Sequence, residues 1–196
     1  SQIDNLTYNY YTGSNRLLNV IDANNNAQTK LGDFRTSLLH PNQTKTNTTT
    51  DYTYDANGNL KKDLNKDIGT AGAEDIVFNH LNLPQSITVR TTGGAIKGTI
   101  TYIYDAAGNK LKKTTVEGTT TTVTTYIGGI VYKNDTLQFI STEEGRARIN
   151  TAGNLIVYDY MLKDHLGNVR MTLTEEQQTD MYPAATMELA NAAVEE

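Results

Sequence analysis

The stretch Tyr158-Asp159-Tyr160-Met161-Leu162-Lys163-Asp164-His165-Leu166-Gly167-Asn168-Val169-Arg170-Met171-Thr172 decides how the rest of the chain is read. Side chains of an extended strand alternate between two faces, so Ile156, Tyr158, Tyr160 and Leu162 share one of them. Asp164 to Asn168 then supplies turn chemistry, because Gly167 and Asn168 tolerate a positive φ. Val169, Met171 and Leu173 resume the alternation. The spacing predicts strand, tight turn, strand.

The same grammar recurs upstream. Tyr52-Thr53-Tyr54-Asp55-Ala56-Asn57-Gly58-Asn59-Leu60-Lys61-Lys62 is nearly repeated by Tyr102-Ile103-Tyr104-Asp105-Ala106-Ala107-Gly108-Asn109-Lys110-Leu111-Lys112-Lys113. Thr7 to Leu17 opens the chain in the same style, and Phe78-Asn79-His80-Leu81-Asn82-Leu83-Pro84 replaces Tyr-Asp by Phe-Asn. With Tyr10, Tyr54, Phe78, Tyr104, Tyr126 and Tyr158 as anchors, and Phe34 as a degenerate one, the period is about two dozen residues, which suits one hairpin per unit. In each clear copy the aspartate side chain is placed to accept backbone N–H groups of a type I turn closed by a left-handed glycine. Further strands are expected at Ile76–Phe78, Ser86–Val89, Thr119–Tyr126, Gly129–Lys133, Leu137–Ile140 and Ala152–Tyr158. Residues 22–26 and 40–51 are polar, rich in Asn and Thr, and are expected as loops or a frayed edge. In the tail 183–196, Met187, Ala190 and Val194 fall at helical spacing behind Pro183, so a short helix or a linker is expected there.

Composition narrows the function classes. The 196 residues hold 37% hydrophobic and 20% charged side chains, 12 Tyr, 15 Gly, no Cys and no Trp, a balance that favours strands and turns. A net charge of −5 gives no electrostatic case for nucleic acid. No apolar run approaches the ~20 residues of a membrane helix, and the missing cysteines exclude disulfides and thiolate metal sites. A start at Ser1-Gln2 without Met is expected of a fragment or a processed product.

The Tyr-Asp-Ala-x-Gly-Asn copies at 54–59 and 104–109 resemble YD repeats. The run Lys163-Asp164-His165-Leu166-Gly167-Asn168-Val169-Arg170 resembles the signature of the Rhs repeat-associated core, with Asn168-Val169 where the usual wording has Thr-Pro. Together the resemblance covers roughly residues 6 to 173. It implies an all-β fold in which a spiralling antiparallel sheet of YD-type hairpins forms part of a hollow shell. It also implies a non-catalytic role for a secreted or cell-surface protein, in which the shell encloses or presents a C-terminal effector. The implied partners are the chain's own flanking repeats, that effector, and secretion or surface machinery, with no nucleic acid and no cofactor. The division that follows is a repeat region at 1–157, a core-motif region at 158–182, and a tail or linker at 183–196. The aspartate-dependent self-cleavage of many members is not carried over, because no matching aspartate pair follows the motif.

Two other function classes compete with the shell. Asp164 and His165 invite a hydrolase reading in which a carboxylate orients an imidazole base; the alternative is that both order a turn beside Arg170. Asp55 and Asp105 read as paired acids or as recurring turn residues. The tyrosines read as sugar-stacking platforms of a surface adhesin or as the inner face of the sheet. His40, His80 and His165 lie in separate units without metal-ligand spacing. The residues that define the repeat are Tyr54, Asp55, Gly58, Asn59, Tyr104, Asp105, Gly108 and Asn109, and those that define the core motif are Asp164, His165, Gly167, Asn168 and Arg170.

Overall fold

A computed structural model describes residues 4–24, 34–70, 72–91, 93–150 and 153–176. Among these residues the chain is all-β, with fourteen strands and one short 3-10 turn at Leu64–Lys66. It divides into two compact units, Ser1–Leu137 and Gln138–Glu196. The boundary expected at 157/158 falls inside a strand.

The first unit begins with two antiparallel hairpins, each a sheet of its own. β1 (Leu6–Tyr10) pairs with β2 (Leu17–Asp22), and β3 (Tyr52–Tyr54) with β4 (Leu60–Asp63). The repeat hairpins, expected in one antiparallel sheet, thus divide: Tyr54 lies in a sheet apart from that of Tyr102 and Tyr104. β5 (Ile76–Phe78), β6 (Pro84–Arg90), β7 (Ile96–Tyr104), β8 (Lys110–Glu117), β9 (Thr120–Ile127) and β10 (Ile130–Lys133) follow as an antiparallel meander in chain order. Threonine explains much of it. Thr114 opposes Val123 and Thr115 opposes Thr122, so β-branched side chains cover each other across the ladder. Two-residue turns with left-handed glycines close β8–β9 at Gly118 and β9–β10 at Gly128-Gly129.

β11 (Thr136–Ser141) begins two residues before the second unit, and there it, β12 (Gly145–Asn150), β13 (Leu155–Lys163) and β14 (Val169–Thr174) pair antiparallel in sequence order. β12, with the sequence Gly-Arg-Ala-Arg-Ile-Asn, was not among the expected strands, because arginines interrupt its apolar pattern. Tyr126 and Tyr158 are not repeat anchors: Tyr126 precedes the two-glycine turn, and Tyr158 sits in mid-strand. Phe34 begins no strand; its backbone N–H donates to Asp4 Oδ1 at 3.0 Å. The tail 183–196, and residues 25 and 26 of the first polar segment, lie outside the described residues.

Apolar burial is sparse. Val20, Tyr52, Leu64 and Ile76 are the buried hydrophobic residues of the first unit, and Ala147 and Val157 those of the second, among the described residues. Half of the strand residues are half-buried and most of the others are exposed. Positions of the repeat carry correspondingly more of the specification, Gly108 above all. Its φ is +88°, and an added Cβ would approach Leu83 Cδ1 to 3.3 Å; its counterpart Gly58 has φ +89°. Gly108→Ala is expected to destabilise the chain by about 1 kcal/mol or more, through backbone strain in the left-handed region. A chemical-denaturation midpoint unchanged from the parent would contradict this account of the turn.

Candidate functional site

Three turns repeat one construction. The N–H of Asp55 donates to Asn59 O, that of Asp105 to Asn109 O, and that of Asp164 to Asn168 O, each at 2.9 Å. Gly58, Gly108 and Gly167 then donate back to the aspartate carbonyls at 3.1, 3.1 and 2.9 Å. The side chains lock the ring. Oδ1 of each aspartate accepts the asparagine N–H, at 2.8, 2.8 and 2.9 Å, and each carboxylate also accepts from the asparagine Nδ2. A residue is gained on one strand as the chain leaves each turn, seen as register shifts at Thr53/Tyr54, Ile103/Tyr104 and Leu162/Lys163. This is a type I turn with a left-handed glycine and a bulge.

A fourth turn keeps the backbone with changed side chains, and a fifth keeps only its pair of backbone hydrogen bonds. At Asn79–Leu83 the Asn79 Oδ1 accepts from Leu81 N and Leu83 N, and Asn82 takes the glycine position at φ +57°. At Thr91–Ala95 the Thr91 N–H donates to Ala95 O at 2.8 Å and Gly94 N–H to Thr91 O at 3.0 Å, but Gly93 and Gly94 are both left-handed, at φ +86° and +85°, so it is a variant and not a copy of the repeat turn. Sequence reading missed it, since threonine stands where aspartate would signal a turn. The hydrogen bonds from Asn59, Asn109 and Asn168 side chains, foremost, hold the carboxyls of Asp55, Asp105 and Asp164 below the usual carboxylate range.

The tyrosine ahead of the aspartate has a recurring task. Tyr54 OH donates to Leu17 O at 3.1 Å and Tyr104 OH to Pro84 O at 2.9 Å. In both cases the acceptor is the first strand residue after the preceding turn of the repeat. Tyr11 OH returns the bond by donating to Tyr52 O at 2.7 Å, and its ring meets Tyr54 edge-on at 6.2 Å. Phe78 has no hydroxyl to do this. There the turns are joined instead by Asn57 Nδ2 and Asn59 Nδ2, both donating to Asn82 Oδ1 at 2.9 Å.

In the core motif Asp164 and Arg170 pair: Arg170 Nε and NH2 donate to Asp164 Oδ2 at 2.9 and 2.6 Å. The guanidinium is 69% exposed, so the bridge is a surface one. His165 is exposed, and no hydrogen bond joins it to Asp164, whose oxygens accept from Leu166, Asn168 and Arg170. The alternation of β13 is as expected but its orientation is not. Ile156, Tyr158, Tyr160 and Leu162 are exposed, as are Val169, Met171 and Leu173 of β14. The covered face carries Val157 and Asp159 instead. Asp159 is 2% exposed, and its Oδ2 accepts from Arg146 Nε at 2.7 Å and Arg148 Nε at 2.9 Å. Burial pushes this carboxyl up, but the two arginines outweigh burial and hold it down at about 2.

Sequence reading also missed a buried polar knot in the first unit. His40 Nε2 lies 2.9 Å from Asp51 Oδ1, with both side chains fully buried. Asp51 Oδ2 accepts from Lys45 Nζ at 2.7 Å and Asn65 Nδ2 at 2.9 Å. The 40–51 segment is thus a loop, as expected, but not a frayed one. Asp75, just ahead of β5, and Arg90, at the end of β6, form a second pair, with Arg90 NH2 donating to Asp75 Oδ1 at 2.7 Å. No group of three or more His, Cys, Asp or Glu among the described residues is arranged to hold a metal ion. No helix among them is long and apolar enough to cross a membrane.

No protein-family model matches the chain, and neither a curated protein nor a solved structure matches it.

The hydroxyl bonds make a sharp comparison possible. Tyr104→Phe should lower stability by about 1 kcal/mol, the usual net worth of one such bond, whereas Tyr102→Phe should change little. Equal effects of the two substitutions on the unfolding midpoint would contradict the stitching role. Asp159 predicts an acid response. Its folded value lies below its unfolded one, so its contribution is complete above about pH 4 and fades as pH falls toward 2. Between those limits the wild type should lose about 1–2 kcal/mol more than Asp159→Asn, allowing for the half-exposed arginines. Parallel stability profiles of the two proteins would refute it.

Proposed function

We propose that the chain is a non-catalytic segment of a β-shell from a secreted or cell-surface Rhs/YD-repeat protein, whose role is to enclose or present an effector carried C-terminal to it. One observation carries the reading. The Asp-x-x-Gly-Asn wording corresponds to a single turn geometry, reused at Asp55, Asp105 and Asp164. Where the turn is used twice in the first unit, the tyrosine beside it ties its hairpin to the hairpin before. A sequence motif spent on joining hairpins to one another suits a wall, and leaves its aspartates occupied. The same occupation weighs against Asp164 as the orienting partner of His165. The spiral and the closure of the shell belong to this proposal.

A second reading, a surface adhesin that binds glycans, is favoured by Tyr158 and Tyr160. Their rings are 42% and 41% exposed and stack at 6.4 Å, and Tyr160 OH donates to Glu175 Oε1 at 2.8 Å. Exposed stacked rings beside a carboxylate are a surface on which sugar rings pack.

The two readings separate by experiment on the full-length polypeptide that carries this chain. Limited proteolysis under native conditions is expected to nick surface turns while a C-terminal segment stays protected and associated until denaturant is added. Free digestion of that segment would sink containment, and saturable binding on a glycan array lost in Tyr160→Ala would replace it with the adhesin. Hydrolytic turnover lost in His165→Gln at unchanged stability would overturn both.

A further inference from the structure

The knot around Asp51 holds three side chains in an arrangement suited to bond formation. Lys45 Nζ donates to Asn65 Oδ1 at 2.5 Å, which brings the amine against the side-chain amide. The same amine contacts Asp51 Oδ2 at 2.7 Å, and the same Oδ2 accepts from Asn65 Nδ2 at 2.9 Å. One carboxylate oxygen therefore touches both nitrogens that an amine-for-amide exchange would protonate and deprotonate. All three side chains are withdrawn from water: the Lys45 side chain is 3% exposed, that of Asp51 0%, and Asn65 is buried. Each is also held from outside the trio. Lys45 Nζ donates to Val20 O at 3.0 Å, Asn65 Nδ2 to Tyr52 OH at 3.2 Å, and Asp63 Oδ1 accepts the Asn65 backbone N–H at 3.1 Å. His40 Nε2 stands on the other carboxylate oxygen.

We propose that Lys45 and Asn65 become joined by an intramolecular amide bond, with Asp51 carrying the protons. The Lys45 ammonium passes a proton to Asp51 Oδ2, which frees the lone pair of Nζ. Nζ attacks Asn65 Cγ, forming the N–C bond and moving the carbonyl π pair onto Oδ1. The protonated Asp51 then delivers its proton to Nδ2. Reformation of the carbonyl breaks the Cγ–Nδ2 bond and expels ammonia, which takes the surplus Nζ proton through the same oxygen and leaves as an ammonium ion. An ammonium and a primary amide thus become a secondary amide and an ammonium ion. Asp51 ends ionised as it began, and nothing is oxidised or reduced.

Asn65 is the electrophile and Asp51 is not, because an ionised carboxylate that already accepts from His40, Lys45 and Asn65 resists attack. Burial supplies what a surface lysine lacks: fixed approach and no competing water, the conditions under which intramolecular reactions gain most over bimolecular ones. The bond would close a covalent ring from residue 45 to residue 65 around the β3–β4 hairpin, in a chain that has no cysteine to make a disulfide.

The test is mass spectrometry of the folded wild-type chain, denatured for the measurement and then digested. The expected result is an intact mass lower than the sequence by one ammonia, and a branched peptide in which Lys45 Nζ is bonded to Asn65 Cγ. Asn65→Asp is expected to form the same link with loss of one water. Lys45→Arg should have neither the deficit nor the branch. Full sequence mass in the folded wild type overturns the proposal, whether or not the variants fold. So does an ammonia deficit that maps to a succinimide at Asn57-Gly58 with no branched peptide.

Discussion

An aspartate carboxylate that takes up the N–H groups of its own turn is the contact on which the repeat hairpins depend. A type I turn with a left-handed closing residue leaves backbone donors pointing inward, and in a thin sheet no core stands ready to cover them. Asp55, Asp105 and Asp164 accept those donors, and the asparagine four residues on holds the carboxylate in place. Once the turn is set, the bulge that follows it sets which residues oppose one another, and hence which face each side chain takes. Turn chemistry therefore comes before packing in this fold. The few buried apolar residues reinforce strands that the turns have already placed in register.

The legible part of the fold was the part written in local interactions. The Asp-x-x-Gly-Asn wording marks the hairpins at 54–59, 104–109 and 164–168, and Phe78-Asn79 marks a fourth in altered dress, since asparagine offers the same acceptor as aspartate. Alternation located β5 to its residues. Where the sequence misled, the competing effect was tertiary. Ile156, Tyr158, Tyr160 and Leu162 read as an inward face by hydropathy, yet the covered side of β13 is the one with Asp159, because two arginines on β12 neutralise that carboxylate. A buried ion pair of this kind has no signature in one strand alone. The Thr91–Ala95 turn escaped for the opposite reason: it closes with the same two backbone hydrogen bonds as the repeat, but threonine hides it.

The knot at His40, Lys45, Asp51 and Asn65 was the least legible feature. Residues 40–51 have the composition of solvated loop, and each member of the knot is ordinary in its own neighbourhood. Asp51 finds His40 across eleven residues and Asn65 across fourteen. It takes β2 and the β3–β4 hairpin together to remove those groups from water, and once removed they must satisfy one another. Polar composition in a sequence window thus says little about exposure when the partners lie in other windows. What separates a frayed segment from a polar core is the supply of partners, which only the fold provides.

The tyrosine stitch reaches back to the hairpin before it and no further. Tyr54 binds the carbonyl of Leu17, and Tyr104 that of Pro84. An array held this way has nearest-neighbour couplings, so its cooperativity is that of a one-dimensional lattice whose links add along the chain. Whole hairpins are then interchangeable parts. A tyrosine-stitched unit duplicated in frame carries a donor and an acceptor at matching places into the new seam, whereas a gain or loss of one residue within a strand breaks the match. Evolution by unequal recombination is well tolerated in such a chain, and its length becomes a variable that the gene can change without redesigning the fold.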